Sequence, residues 1–155
     1  NKGSKHGIKP EQGIISANGV VGLITNVSDF YSTGFTVLNL RWSVSAKLKK
    51  TGTYGPLAWD GKNYKIANLN EIPFHINLNI GDTVVTSAYS YTFPEGILIG
   101  TIQSFSKLEG ENYYDIKVEL ATDFKSLSFV EVINNSDKME IENLENISMD
   151  GQDIN

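Results

Sequence analysis

No cysteine occurs in the 155 residues. That excludes disulfides, thiolate metal sites and cysteine nucleophiles. It is compatible with an oxidising compartment without demonstrating one. No run of about 18 apolar residues is present, so no segment reads as a membrane-spanning helix, and no signal peptide is visible. The chain opens on Asn1-Lys2-Gly3-Ser4 without an initiator methionine, so the expectation is a fragment of a longer protein. Alanine is scarce and glycine frequent, with 14 copies. The apolar residues are mainly Val, Ile, Leu, Phe and Tyr, which suit pleated surfaces better than helices. A chain of this length buries about 68–70% of its unfolded surface and can hold a core without staples.

Basic excess is also lacking. The net charge is −5, and it is unevenly spread. From Ser136 onward there are six acids (Asp137, Glu140, Glu142, Glu145, Asp150, Asp153) and one base, Lys138, so −6 + 1 = −5 and residues 1–135 sum to zero. A nucleic-acid partner therefore loses its usual electrostatic support. Lys47, Lys49 and Lys50 form a local basic group, for which a solvated loop is the simpler reading.

What is present is strand and turn. Ile14 to Ala17 and Val20 to Ile24 flank Asn18-Gly19, a pair that readily takes the positive φ a two-residue hairpin turn needs. Phe35–Leu40 and Ser43–Leu48 read as further strands. Asp60-Gly61 turns the chain between Leu57–Trp59 and Tyr64–Ile66. Thr83–Thr86 follows Gly81-Asp82, and Ile97–Phe105 is a longer strand interrupted by Gly100. In Tyr113–Leu120, Tyr114, Ile116, Val118 and Leu120 alternate with Tyr113, Asp115, Lys117 and Glu119, a period of two with one wet face. Leu127–Ile133 is the last strand, and Asp123–Ser126 the one short helical turn. Many short strands with glycine-bearing turns imply barrels or a sandwich. Residues 135–155 are acidic, lack aromatics and read as a disordered tail. The spacing of Met139, Ile141, Leu144 and Ile147 leaves open a weak amphipathic helix formed on a partner.

Fragments of catalytic motifs occur but do not cohere. Ser104-Phe105-Ser106-Lys107 matches the S-x-x-K of penicillin-binding enzymes, Lys50-Thr51-Gly52 their K-T-G, and Ser16-Ala17-Asn18 an S-x-N. That chemistry needs the serine at a helix start, with lysine one turn away. Ser104 lies in a β-patterned stretch, where residues three apart face opposite ways, and the motif order is reversed. His6 and His75 are far apart and lack ligand-spaced neighbours. Glu109 and Glu111 sit beside glycine, as a solvated turn rather than an acid–base pair. No G-x-S-x-G elbow, P-loop or G-x-G-x-x-G is present. The sequence therefore offers no catalytic, cofactor or metal residues. Tyr89, Tyr91 and Phe93 alternate before Pro94-Glu95-Gly96. They read either as the core-facing side of a strand or as an exposed aromatic contact for a partner, since Tyr and Phe are enriched in protein contacts.

Two segments carry a family likeness. Asn1 to Ile8, followed by Val20-Val21-Gly22-Leu23-Ile24 and Val27-Ser28, resembles the opening of the MreC β domain, "(D/N)KGS-x-x-G(I/V)" then "G-x-V-G-x-(V/I)-x-x-V-S". Gly81 to Ser87, followed by Phe93-Pro94-Glu95-Gly96 and Ile97 to Ile102, is similar to its second signature, "GD-x-VVTSG" and "FP-x-G-x-x-(I/V)G-x-V". Asp123-Phe124 to Leu127 matches a terminal "D-(F/L)-x-x-L". The likeness covers residues 1–134. Ala88 stands where the family has glycine. If that glycine needs positive φ, the turn here differs.

The resemblance implies an all-β protein of two small adjacent barrels of six-stranded type. The expected division places residues 10–70 in the first module, 1–9 and 71–134 in the second, and 135–155 in the tail. It further implies a non-enzymatic periplasmic scaffold of the cell-wall elongation machinery, without cofactor, maintaining cell shape. Such a scaffold self-associates as a dimer or filament and engages a class B penicillin-binding transpeptidase and MreD. It is held at the inner membrane by an N-terminal helix and coiled coil that this sequence does not contain. Two other readings stay open: a periplasmic hydrolase with a barrel core, which would need a nucleophile–base–carboxylate set, and an oligonucleotide-binding barrel, which the neutral charge disfavours.

Overall fold

The computed structural model describes residues 1–135 and 138–150, and within the last segment the side chains of residues 143–149. Among the described residues the chain is all-β apart from a short 3-10 turn at Ser4–His6 and one helix near the C-terminus. The strands are β1 (Gly13–Ser16), β2 (Gly19–Val27), β3 (Ser32–Thr36), β4 (Ser43–Leu48), β5 (Tyr54–Ala58) and β6 (Ile66–Leu69). They continue with β7 (Thr83–Thr86), β8 (Leu98–Lys107), β9 (Tyr114–Leu120) and β10 (Glu131–Ile133), and the helix α1 spans Lys138–Asp150.

Six strands close a barrel in the order β4-β5-β6-β9-β8-β7, with β7 returning to β4. The other four make an antiparallel sheet, β10-β1-β2-β3. One of the two expected barrels is thus a closed six-stranded barrel, and the other unit is a four-stranded sheet. The division expected near residue 70 falls inside the barrel, because β6 pairs with β9 and β4 with β7 across it. Barrel closure is made by pairs distant in sequence, and hydrophobic alternation identifies strands without naming their neighbours. Residues 1–9 also sit elsewhere than expected. The amides of Ser4 and Lys5 donate to the carbonyls of Ser28 and Asp29 at 2.8 and 3.2 Å, which ties the opening segment to the sheet.

The alternation read in Tyr113–Leu120 is realised in β9. Ile116, Val118 and Leu120 are buried and Glu119 is exposed. These side chains meet Val44, Ala46 and Leu48 of β4, Leu69 of β6 and Ile102 of β8 in one core. Val20 and Val37, from the sheet side, belong to the same cluster. The Thr122 hydroxyl, buried where sheet and barrel meet, donates to the Val20 carbonyl at 2.9 Å. Two glycines are required by close approaches. A Cβ on Gly100 would lie 2.0 Å from the Glu119 carbonyl oxygen, so Gly100 lets β8 and β9 pass closely instead of interrupting the strand. The hairpin at Asn18-Gly19 is shifted by one residue. Its loop is Ala17-Asn18, Ser16 faces Gly19, and Gly19 takes φ +138 with its Cα against the Leu98 carbonyl, where a Cβ would be 2.2 Å from the oxygen.

The tail read as disordered is partly helical. Residues 138–150 form α1, consistent with their Glu, Met and Leu content. Residues 136–137 and 151–155 of that expectation lie outside the described residues. Among the described residues, no helix is long and apolar enough to cross a membrane.

Candidate functional site

The segment joining β7 to β8 is a loop pinned at nearly every turn. The Ser87 amide donates to the Ser45 carbonyl at 3.0 Å, and the hydroxyls of Ser45 and Ser87 are 2.6 Å apart. The Ser90 amide donates to the Ser87 carbonyl at 3.2 Å, closing a turn with Ala88 and Tyr89 at its centre. Glycine and Glu11 and Glu71 apart, no described residue has positive φ. The turn therefore accommodates Ala88 without strain, and the family's glycine is not required for its backbone. The Ser90 hydroxyl accepts from the amides of Thr92 and Phe93 at 3.3 and 3.1 Å. Thr86, fully buried, donates its hydroxyl to the Pro94 carbonyl at 2.7 Å and accepts from the Ile97 amide at 2.9 Å. Lys47 on β4 pairs with Glu95. A loop so fully bonded presents its side chains in fixed directions, which lowers the entropy lost on binding.

The three aromatics of this loop part company. Tyr89 and Tyr91 are 64% and 42% exposed, whereas Phe93 is fully buried. The alternation expected of a strand fails because the chain turns at Ala88-Tyr89 and the Ser90 hydroxyl caps the amides beyond it. That turn swings Phe93 inward, with its ring centroid 6.4 Å from that of Trp42. Phe93 is thus a core residue, and only Tyr89 and Tyr91 of the three are exposed. They are joined by Tyr54 of β5, 52% exposed, whose ring lies 4.4 Å from that of Tyr89. No sequence signal marked Tyr54, since its meeting with Tyr89 depends on barrel closure. Trp42, Tyr54, Pro56, Glu71, Tyr89 and Tyr91 line an open groove of about 570 Å³. Tyr91 donates its hydroxyl to the Glu145 carboxylate of α1.

A second concavity, about 710 Å³, lies on the four-stranded sheet between Ile14, Ile24 and the exposed Phe129. It also has an aromatic neighbourhood, since Phe30 packs edge-on to His6 and under the Lys5 ammonium, 4.7 Å from the ring centroid.

The motif fragments stay apart. Lys50-Thr51-Gly52 is the β4–β5 turn, Ser16-Ala17-Asn18 the β1–β2 turn, and Ser104 lies on β8, separated from β4 by β7. The Lys107 ammonium sits over the rings of Phe74 and Tyr114, at 5.2 and 5.8 Å. His6 accepts the Gly3 amide through Nδ1 at 3.1 Å, and His75 is exposed. Among the described residues, no group of three His, Asp or Glu could hold a metal. The Asp123 carboxylate has a lowered pKa. A hydrogen bond from the Ser126 hydroxyl, with the Lys125 amide also donating, holds Asp123 below its usual value. That is a turn cap on an exposed group.

Comparison with known proteins gives these surfaces a family. The model of "Rod shape-determining protein MreC, barrel core" matches residues 1–134. The Cell shape-determining protein MreC of Listeria monocytogenes is 31% identical over 106 residues, covering 66% of this chain and 36% of that protein. The chain thus spans about a third of that relative's length. A solved Listeria MreC superposes with a TM-score of 0.81 at 27% identity, covering 87% of this chain and 66% of that one. The major periplasmic domain of "the cell shape-determining filament MreC" superposes at 0.74 with 18% identity, covering 87% and 83%. MreC from Helicobacter pylori, in complex with the penicillin-binding protein PBP2, superposes at 0.61 with 21% identity, covering 78% and 75%. The β fold, the two signatures and the family match over residues 1–134 agree, and this chain belongs to the MreC family of rod shape-determining proteins, whose barrel core it carries.

Proposed function

We propose that this barrel core is a non-enzymatic periplasmic scaffold for cell-wall elongation, acting by presenting surfaces to a class B penicillin-binding transpeptidase and to further copies of itself. MreD and an inner-membrane anchor complete the assembly in the whole protein. Support comes from the family, from the Helicobacter MreC that is in complex with PBP2, and from the relative described as a filament. The carrying observation within this chain is the Tyr54–Tyr89–Tyr91 set, exposed where β5 meets a loop whose polar groups are already bonded. Tyrosine on a rigid support gives contact area at small entropic cost, the profile of a binding hot spot. The groove beside it supplies the concavity into which a partner side chain inserts.

The test is affinity. Tyr89→Ala and Tyr91→Ala should each weaken binding of the transpeptidase by about 2 kcal/mol, roughly thirtyfold, with the circular dichroism spectrum unchanged. Normal binding by both folded variants removes the groove from the interface. Absence of any association of the wild-type domain, with itself in sedimentation or with the transpeptidase, removes the scaffold reading altogether.

A further inference from the structure

The acidic end of the chain comes back to the aromatic groove. At its root, Asn135 donates its side-chain amide to the carbonyls of Ser90 and Phe93 at 2.9 and 3.1 Å. Its neighbour Asn134 accepts from Gln12 of the segment leading into β1. Ten residues further on, Glu145 of α1 accepts the Tyr91 hydroxyl. The segment therefore touches the rim of the groove at two separated points, one on each side of its own N-terminal half. Meanwhile Leu144, Ile147 and Met149 stay exposed on α1, so these three side chains do not hold it down.

We propose that α1 is an intramolecular strap at the Tyr91 rim of the Trp42–Tyr54–Tyr89–Tyr91 groove, occupying Tyr91 through Glu145 and competing there with the transpeptidase. The inference rests on the groove being the partner surface. The strap is weak by construction, since one tyrosine–carboxylate hydrogen bond at an exposed site supplies little net stability. Its tether compensates. Anchoring at Asn135 keeps Glu145 on a tether of about ten residues from the Tyr91 hydroxyl that donates to it, and short tethers of this kind give effective concentrations in the millimolar range. A contact too weak to form between separate molecules is then populated within one. A strap closed for most of the time lowers apparent partner affinity by the fraction left open, about three- to tenfold.

Two readouts on the full chain test this separately. Because the chain has no cysteine, Ile147→Cys provides a unique site for a nitroxide label, and Ile147 is exposed enough to carry one. The label should broaden the amide resonances of Ser90 to Thr92, and Glu145→Ala should remove most of that broadening. Glu145→Ala should also raise affinity for the transpeptidase by about three- to tenfold. An absence of broadening in the otherwise wild-type chain overturns the strap as a contact. Broadening that disappears in Glu145→Ala without any change in affinity, while Tyr89→Ala still weakens binding, overturns the competition and leaves the groove standing. Normal transpeptidase binding by both Tyr89→Ala and Tyr91→Ala removes the groove reading and the competition with it, whatever the label reports.

Discussion

Phe93→Ala should destabilise the fold by about 4 kcal/mol while Tyr89→Ala, four residues away, changes it by less than about 1 kcal/mol. Phe93 is fully buried. A phenylalanine ring removes roughly 150–250 Å² from water, which at about 25 cal/mol per Å² is roughly 4–6 kcal/mol before any is returned by alanine or by relaxation. Measured Phe→Ala losses of about 3–5 kcal/mol overlap that range. The site leaves little room to collapse. Trp42 lies on one side, and Gly13 approaches on the other so closely that a Cβ there would be 2.6 Å from the ring. Phe93 thus touches both the loop entering the barrel and the first strand of the sheet, and its loss should loosen the joint between the two units. Urea unfolding followed by tryptophan fluorescence is suited to the measurement, because Trp42 reports directly from the site. Gly13→Ala supplies the cross-check: it should be costly in the wild type and much cheaper in the Phe93→Ala background, a coupling that contact between the two positions requires. If Phe93→Ala leaves the midpoint unchanged while Tyr89→Ala lowers it, the assignment of core and surface along this loop is inverted.

Gly100→Ala should cost about 1–3 kcal/mol in the same assay, since its methyl group would meet the Glu119 backbone at 2.0 Å. The Asp123 carboxyl should titrate below 3.8 by NMR and move back toward it in Ser126→Ala. As its pKa in the fold is depressed, its contribution to the turn is complete above 3.8 and is lost as pH falls through the folded value. Incubation with a fluorescent penicillin should leave the chain unlabelled, and a stable adduct on Ser104 would overturn the non-enzymatic reading.

Much of the local structure was legible in the residues. Ser43–Leu48 and Thr83–Thr86 were read with the bounds that β4 and β7 have, and the alternation in Tyr113–Leu120 places β9 correctly face by face. These are short-range signals, because the pleat repeats every two residues and burial of one face writes itself into the sequence. β3 and β10 were read less well. Phe35–Leu40 was expected where Ser32–Thr36 pairs, and Leu127–Ile133 shrinks to Glu131–Ile133. Both are outer strands of the open sheet, with one neighbour each, so pairing disciplines their composition least. Residues 138–150, read as an acidic tail with a weak amphipathic helix left open, carry α1, because helix propensity acts on the same residues whose charge and thin apolar content keep them out of the core.

By itself the sequence determined that the chain is all-β, that its core face alternates along β9, and that its signatures are those of the MreC family. Those properties are local or carried by short ordered motifs. Only the tertiary structure decided that β7 closes on β4, that the chain divides into a sheet and a barrel instead of at residue 70, and that Tyr54 stands beside Tyr89 while Phe93 turns inward. Each of these depends on which distant strands pair and on where a hydroxyl such as that of Ser90 caps a turn, and alternation along a single strand carries no record of its neighbour.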